Sequence, residues 1–585
     1  MTRDLVLDIR NLQTHYVTPH GTVRAVDGID LPVERGKTLC IVGESGSGKS
    51  ATARSILQLI DAPGHIVGGS IDYREQPDSE PLDILSLKQK GPQIRGVRGK
   101  HIAMVFQEPM SSLSPLHTIG NQIVEMLELH EGIEGKAARE RTIEELRGVG
   151  IRDAEHRIDA YTFQLSGGMR QRAMIAMALI CRPQVLIADE PTTALDVTTQ
   201  AQILDLFKEL KDRLGMTLIF ITHDLGVVAE IADEVAVMKD GKVVEQGGVD
   251  DIFHNPTHEY TRSLLANLPQ RQALEETADS PVAVARPRVE PATVAADAHA
   301  LLTVDDLRMH FSERSTGRRA SAGVVKAVDG VSLQVRRGET VGLVGESGCG
   351  KTTLGRCLLG AYKPTGGQIN YLPNDGDDEV IDLAGLHGKE RKPYRGQIRM
   401  VFQDPYGSLN PRMTVGQIIG EPLRTNKLAG KRRIRDRVNQ MLELVGLRAD
   451  YATRYPHAFS GGERQRIGIA RALITEPRLV VADEAVSALD VSVRAQVLSL
   501  LADLQAELNL TYIFISHDLS VVRTICDRVA VMYFGRIVEQ GDTADLYDDP
   551  QHPYTRSLLS AVPVPDPRLR GTRKHTIYHP DEDTP

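Results

Sequence analysis

Gly43-Glu44-Ser45-Gly46-Ser47-Gly48-Lys49-Ser50, and its counterpart Gly345-Glu346-Ser347-Gly348-Cys349-Gly350-Lys351-Thr352, decide the reading of this chain. Both fit G-x-x-x-x-G-K-[ST], in which glycines let the backbone curl around an oxyanion cluster and several N–H groups converge on it. Each follows an apolar run, Thr38 to Val42 and Thr340 to Val344, that reads as a buried strand. Each precedes a segment that reads as a helix start, whose positive end favours phosphate. In this reading Gly43, Ser45, Gly46 and Gly48 cradle phosphates in the first half, as do Gly345, Ser347, Gly348 and Gly350 in the second. Lys49 and Lys351 neutralise the outer phosphates, and the hydroxyls of Ser50 and Thr352 ligate Mg2+. One such match could be a Gly-rich turn that happens to carry Lys-Ser; two in corresponding positions make that explanation negligible.

Outward from these loops the halves repeat. Ser166 matches Ser460, Glu190 matches Glu484 and His223 matches His517, each about 294 residues apart, which is whole-domain duplication rather than a solenoid period. Even the tails correspond: Asn255-Pro256-Thr257-His258-Glu259-Tyr260-Thr261-Arg262 echoes Asp549-Pro550-Gln551-His552-Pro553-Tyr554-Thr555-Arg556. Domains are therefore expected at 1–269 and 301–564. Between them lies a Pro/Ala-rich flexible linker at 270–300, and a poorly ordered, Pro- and charge-rich end runs over 565–585. Within each half, continuous apolar runs such as Val185–Ala188, Leu218–Ile221, Leu479–Ala482 and Tyr512–Ile515 suit strands buried on both faces. The class is α/β with a mainly parallel sheet, and phosphate sites belong at the carboxyl ends of its strands.

Composition narrows the function. The 585 residues exceed one core, and a net charge of -9 argues against a protein held mainly by nucleic-acid phosphates. No run approaches about 18 apolar residues, so no membrane-spanning helix is expected. Met-Thr-Arg-Asp at the start lacks the apolar core of a secretion signal, which points to the cytoplasm. The five cysteines are scattered without CxxC pairing, so reduced thiols are expected rather than disulfides or zinc.

Two further constellations carry chemistry. Asp189-Glu190 and Asp483-Glu484 end apolar strands. The first acid of each pair suits Mg2+ through its water shell, and the second suits alignment of an attacking water. Taken alone such acids are as readily helix N-terminal charges; the phosphate loop upstream in each half decides. Ser166-Gly167-Gly168-Met169 and Ser460-Gly461-Gly462-Glu463 open helices, and there a serine N-cap and free amides make a second anion-binding end.

The ordered set of phosphate loop, Ser-Gly-Gly helix start, strand ending in Asp-Glu, Ala-Leu-Asp (Ala194 to Asp196, Ala488 to Asp490) and strand followed by Thr-His-Asp or Ser-His-Asp resembles the ATP-binding cassette ATPases. It occurs twice and spans nearly the whole chain. The resemblance implies a cassette with a parallel core, an antiparallel β subdomain and a helical subdomain. It also implies head-to-tail pairing, in which the loop 43–50 would share ATP with Ser460-Gly461-Gly462, and the loop 345–352 with Ser166-Gly167-Gly168. By the same resemblance Glu190 and Glu484 are the catalytic carboxylates, and His223 and His517 contact the γ-phosphate. Gln107 and Gln403 sense the γ-phosphate and join Ser50, Thr352, Asp189 and Asp483 around Mg2+. Tyr16 and Phe311 fall where an aromatic ring stacks on adenine. Three positions depart from the pattern: Met169 and Glu463 where glutamine is usual, Ala485 opposite Pro191, and Cys349 opposite Ser47. Cys349 has two readings: a thiol near a helix N-terminus and a lysine, which leans toward thiolate, or a small residue that merely fits.

The stretches Gln107-Glu108-Pro109-Met110-Ser111-Ser112-Leu113 and Gln403-Asp404-Pro405-Tyr406-Gly407-Ser408-Leu409, with the His-x-Tyr-Thr tails, are similar to the oligopeptide/dipeptide/nickel importer branch. They suggest its two ATPase chains fused, as in glutathione and microcin-type peptide importers. This implies an ATP-driven energising subunit, peripheral on the cytoplasmic face of the inner membrane. Its partners would be two transmembrane permease subunits and, indirectly, an extracytoplasmic solute-binding protein. Helical segments near 116–160 and 412–455 would receive the permeases. The tails are left with three readings: cover for a cassette edge, packing on the opposite half, or plain C-terminal packing. No cysteine follows either tail, so no iron–sulfur centre is expected. Nickel, opine-like and glutathione cargoes stay open beside peptide. A twin-cassette factor acting on ribosomes or DNA is the alternative, but the linker is short and Pro/Ala-rich rather than long and charged.

Overall fold

The computed structural model describes residues 4–18, 21–108, 112–193, 195–266, 268, 300–312, 324–373, 380–487, 489–572, 575, 576 and 578. The chain divides into two compact units: Met1–Leu195 with Thr199–Arg271 and Pro563–Lys574, and Asp196–Thr198 with Gln272–Val562 and His575–Pro585. The expected linker, 270–300, lies outside the described residues apart from Ala300.

In the first unit, β1 (Leu5–Thr18), β2 (Gly21–Glu34), β4 (Gly64–Tyr73) and β5 (Leu82–Asp83) form an antiparallel sheet of order β2-β1-β4-β5. The main sheet runs β10-β9-β3-β8-β7-β6. Its strands are β3 (Thr38–Val42), β6 (Ile102–Val105), β7 (Val185–Asp189), β8 (Thr217–Thr222), β9 (Glu234–Lys239) and β10 (Lys242–Gly248). Pairing is parallel from β9 through to β6, and only the edge strand β10 is antiparallel. Every residue of β3, β7 and β8 is buried, which is why these strands read as unbroken apolar runs rather than alternating ones. The helices Ile119–Glu131 and Gly135–Gly148 form a helical part over Ile123, Leu127, Ala138 and Leu146. Thr118 caps the first of these through Asn121 N at 3.2 Å, and Gly132, at φ 65°, stops it. Burial of a Leu or Ile here contributes roughly 1.5–3 kcal/mol.

The second unit repeats the plan. β11 (Ala300–Ser312), β12 (Val324–Arg336), β14 (Gly366–Tyr371) and β15 (Ile381–Asp382) give the antiparallel sheet β12-β11-β14-β15. β13 (Thr340–Val344), β16 (Ile398–Val401), β17 (Leu479–Asp483), β18 (Thr511–Ile515), β19 (Arg528–Tyr533) and β20 (Arg536–Asp542) give the main sheet β16-β17-β18-β13-β19-β20. Its helical part is built on Val415–Thr425 and Lys431–Leu444.

This order positions the chemistry. In the first unit β3, β8, β7 and β6 lie side by side and parallel. The residues that follow them, the loop 43–50, His223, Glu190 and Gln107, therefore emerge along one carboxyl edge. Of the end expected to be poorly ordered, 565–585, residues 573, 574, 577 and 579–585 lie outside the described residues. Pro567–Leu569 form a 3-10 turn capped by Asp566, and the Arg570 guanidinium donates to the carbonyls of Ala229, at 3.2 Å, and Ala232 within the first unit. A fixed set of carbonyl acceptors holds a segment whose composition alone suggested disorder.

Candidate active site

Each phosphate loop is wedged against backbone. A Cβ on Gly43 (φ 155°) would stand 2.2 Å from the Met238 carbonyl oxygen, and one on Gly48 (φ 103°) 2.1 Å from that of Ala25. In the second unit Gly345 and Gly350 meet the Met532 and Ala327 carbonyls at 2.1 and 2.0 Å. Lys49 Nζ donates to the carbonyls of Gly43 (2.7 Å) and Glu44 (2.8 Å), and Lys351 Nζ to those of Gly345 and Glu346, both at 2.7 Å. The ammonium is thus held inside the curl of the loop, beside amides that open the helices Lys49–Ile56 and Lys351–Leu359.

The strand ends meet these loops. Ser50 Oγ donates to Asp189 Oδ1 at 2.9 Å, and Thr352 Oγ1 to Asp483 Oδ1 at 3.0 Å. Burial pushes both aspartates above the ordinary carboxylate value, only partly offset by those hydroxyls. A buried carboxylate beside a hydroxyl is a hard, all-oxygen donor set, and it fits Mg2+. Next to it, Glu190 is gripped from three sides: His223 Nδ1 at 3.2 Å, Gln107 Nε2 at 3.0 Å and Thr193 Oγ1 at 3.0 Å. Glu484 has His517 Nδ1 at 3.2 Å and Gln403 Nε2 at 2.7 Å. Burial opposes ionisation of both glutamates, yet the hydrogen bond and charge of the histidine outweigh it and hold each carboxyl below its usual range. Both glutamates are left-handed, φ 46° and 47°, a conformation costing a non-glycine residue about 1–3 kcal/mol. Ala485 in place of Pro191 therefore leaves the backbone of Glu484 unchanged.

The structure thus brings the sequence-predicted loop, Asp, Glu, Gln and His together within each unit. Thr193 had not been singled out; its second-unit counterpart, Ser487, turns instead to the Glu484 carbonyl at 2.9 Å. Tyr16 lies half-buried on β1 and Phe311 on β11, its ring edge-on to Tyr362 at 5.5 Å. Ala194, Ala488 and residues 109–111 lie outside the described residues.

Ser166 and Ser460 N-cap the helices Gly167–Leu179 and Gly461–Leu473. Gly168 and Gly462 are required by packing: a Cβ would reach Thr199 Cγ2 at 2.8 Å and Val493 Cγ1 at 2.3 Å. The two ends differ at Met169 and Glu463. Glu463 closes a capping box, its Oε2 accepting from Ser460 N and Ser460 Oγ, both at 2.9 Å. A carboxylate thereby occupies the amide and the hydroxyl of Ser460 at this helix end. Glu463→Gln should lower the KM for ATP about threefold to tenfold, the scale of one like charge at a solvent-facing helix end. Steady-state kinetics checks this, and an unchanged KM refutes it.

The structure favours the second reading of Cys349. Its side chain is 6% exposed, and although Lys351 Nζ stands 3.6 Å from Sγ, burial raises the thiol above its ordinary value. Desolvation beats the lysine, so the residue is a small buried filler rather than a thiolate.

Comparison with known proteins gives the family. The ABC transporter family model matches residues 26–193 and 328–487, and the model for the oligopeptide/dipeptide transporter C-terminal region matches 244–290 and 538–584. A glutathione import ATP-binding protein, GsiA, of Salmonella typhimurium is 47% identical over 579 residues, covering 97% of this chain and 91% of that protein. The GsiA protein of Escherichia coli K12 is 47% identical over 572 residues, covering 96% and 90%. A dimeric ATP-binding cassette bound to ADP and Pi aligns over 41% of this chain and 98% of its own, with 26% identity and a TM-score of 0.36. With both loops, both Asp-Glu pairs and both tails in matching places, the chain belongs to the ABC transporter ATP-binding proteins, as two tandem cassettes each followed by the oligopeptide/dipeptide transporter C-terminal region.

Proposed function

We propose that this chain is the ATP-hydrolysing subunit of a bacterial importer for short peptides, with glutathione the first cargo to test. The observation that carries the catalytic part is the repeated cluster in which a half-buried glutamate is held by histidine and glutamine beside a hydroxyl–aspartate pair. In this reading Ser50 with Asp189, and Thr352 with Asp483, hold Mg2+, which would neutralise charge on the phosphates. Lys49 and Lys351 bind the outer phosphates. Glu190 and Glu484 take the proton of the attacking water, while His223 and His517 orient that carboxylate, and Gln107 and Gln403 sense what lies next to it.

The transport part rests on the tail regions and on the GsiA relatives. Among the described residues no helix is long and apolar enough to cross a membrane. The chain is accordingly read as a peripheral subunit on the cytoplasmic face, working with two permease subunits fed by a solute-binding protein. The test is uptake of labelled glutathione and of a labelled dipeptide in a strain lacking the gene. The intact chain should restore uptake of one of them, and Lys49→Ala with Lys351→Ala should bind no ATP and restore neither. Restoration by the lysine variant would overturn the proposal.

A further inference from the structure

We propose that the His-x-Tyr-Thr tail of each cassette is a strut for its own phosphate loop, acting through the hydroxyl of Tyr260 in the first unit and Tyr554 in the second. The inference rests on reading 43–50 and 345–352 as the nucleotide cradles. Glu44 N donates to the Tyr260 hydroxyl at 3.2 Å across 216 residues, and Glu346 N to the Tyr554 hydroxyl at 3.0 Å across 208. The same bond, made twice in independent units, is a built feature.

What the bond fixes follows from peptide planarity. The Glu44 N–H and the Gly43 carbonyl belong to one rigid plane. Its N–H end is held by Tyr260, and its carbonyl end receives Lys49 Nζ at 2.7 Å. In the second unit the Gly345–Glu346 peptide is held the same way, Tyr554 at one end and Lys351 at 2.7 Å at the other. An amide committed to a tyrosine is not a phosphate donor. Its service is to set the tilt of the carbonyl that parks the lysine, and with it the mouth of the loop while no nucleotide is there.

The tyrosines are themselves firmly mounted. Glu245 on β10 accepts from Thr257 N (2.6 Å) and His258 N (3.1 Å), and His258 Nδ1 accepts from Tyr260 N (3.1 Å), starting the helix Glu259–Ala266. Glu539 on β20, Gln551 N (2.7 Å), His552 N (3.0 Å) and Tyr554 N on His552 Nδ1 (3.1 Å) repeat this. The motif thus has a physical division of labour: histidine caps the tail helix, and tyrosine reaches the loop. The rings lie on the ends of the strands whose carbonyls abut the first loop glycines. Lys239 Nζ is 4.6 Å over the Tyr260 ring, and the Tyr533 ring is 4.3 Å from that of Tyr554.

Tyr260→Phe with Tyr554→Phe keeps the rings and removes only the hydroxyls. In the intact chain this variant should bind Mg·ATP about fivefold more weakly, the net scale of one neutral hydrogen bond, with kcat changed less than twofold. In the nucleotide-free protein, amide exchange should quicken in peptides covering both loops. The single Tyr260→Phe should quicken only the 43–50 peptide, leaving 345–352 as an internal control. Unchanged affinity and unchanged exchange in the double variant overturn the strut. Lys49→Ala with Lys351→Ala separates the two ideas. Loss of ATP binding there beside a silent double tyrosine variant sinks the strut alone, and retained binding sinks the cradle reading beneath it.

Discussion

Glu190→Gln together with Glu484→Gln should cut ATP turnover by roughly 10^2- to 10^4-fold, the usual reach of a positioned general base, while leaving nucleotide affinity within a fewfold. Glutamine keeps the shape and a hydrogen-bonding oxygen for His223 or His517, but its amide cannot accept the proton of the attacking water. The loss should therefore fall on kcat and spare binding, the pattern of an interaction made in the transition state. The sign of the pH effect follows from the carboxylates. Histidine, after overcoming burial, depresses both glutamates, so they remain ionised below the ordinary Glu range. The stabilisation from these pairs is present above the unfolded-state pKa and is lost as pH falls through the depressed folded value. An acid limb governed by these groups should therefore lie below the usual Glu pKa. Single-turnover assays with radiolabelled ATP measure the effect, and turnover within tenfold of the unmodified protein would remove the glutamates from the proton-transfer role.

Much of this site could be read from the chain because its parts are local. A glycine-rich loop after an apolar run, as at 38–50, and an acid pair at the end of another, as at 185–190, each declare themselves within one short stretch. The side-by-side order of β3, β8, β7 and β6 then brings the ends together, although that order is a tertiary fact absent from any one stretch. The less legible features depend on distance or burial. Cys349 satisfied the local rule for a thiolate, a lysine and a helix start, and failed because the core covers it. Ser460-x-x-Glu463 is visible as a spacing, but its consequence, a carboxylate seated on the Ser460 amide and hydroxyl, depends on the side-chain geometry. The tails were recognisable as a repeat, but none of the readings left open for them named the phosphate loop as their contact. A hydroxyl meeting an amide across 216 residues leaves no periodicity to detect. The final segment was judged by composition, which cannot register that Arg570 finds the carbonyls of Ala229 and Ala232.

Gly48→Ala with Gly350→Ala should abolish detectable ATP binding, at least about a hundredfold in Kd, or roughly 2.7 kcal/mol. Both residues are left-handed helix N-caps, φ 103° and 109°, where an alanine already costs about 1–2 kcal/mol. The added methyl would also need the space of the Ala25 or Ala327 carbonyl oxygen, 2.1 and 2.0 Å away. Those carbonyls cannot retreat cheaply. In the first unit β2 is pinned just after the contact, by pairing of Val26 with Thr14 and by Asp27 N on the Gly241 carbonyl at 2.8 Å, while Gly241 N itself holds the Ser47 carbonyl at 3.0 Å. The loop must therefore move instead, and its amides cease to converge on one point. Gly46 and Gly348 provide the contrast within the same loops. Both have φ 83° and nothing within 4 Å of an added Cβ, so alanine there meets backbone strain without collision in the nucleotide-free protein. Thermal melts should show Gly46→Ala with Gly348→Ala the more stable of the two doubles, and both should keep a native far-ultraviolet circular dichroism spectrum, because the strain sits at the edge of the sheet and not in its core. Titration with a fluorescent ATP analogue reads the affinity; a Kd within tenfold for Gly48→Ala with Gly350→Ala would mean that the cradle does not depend on this close backbone approach.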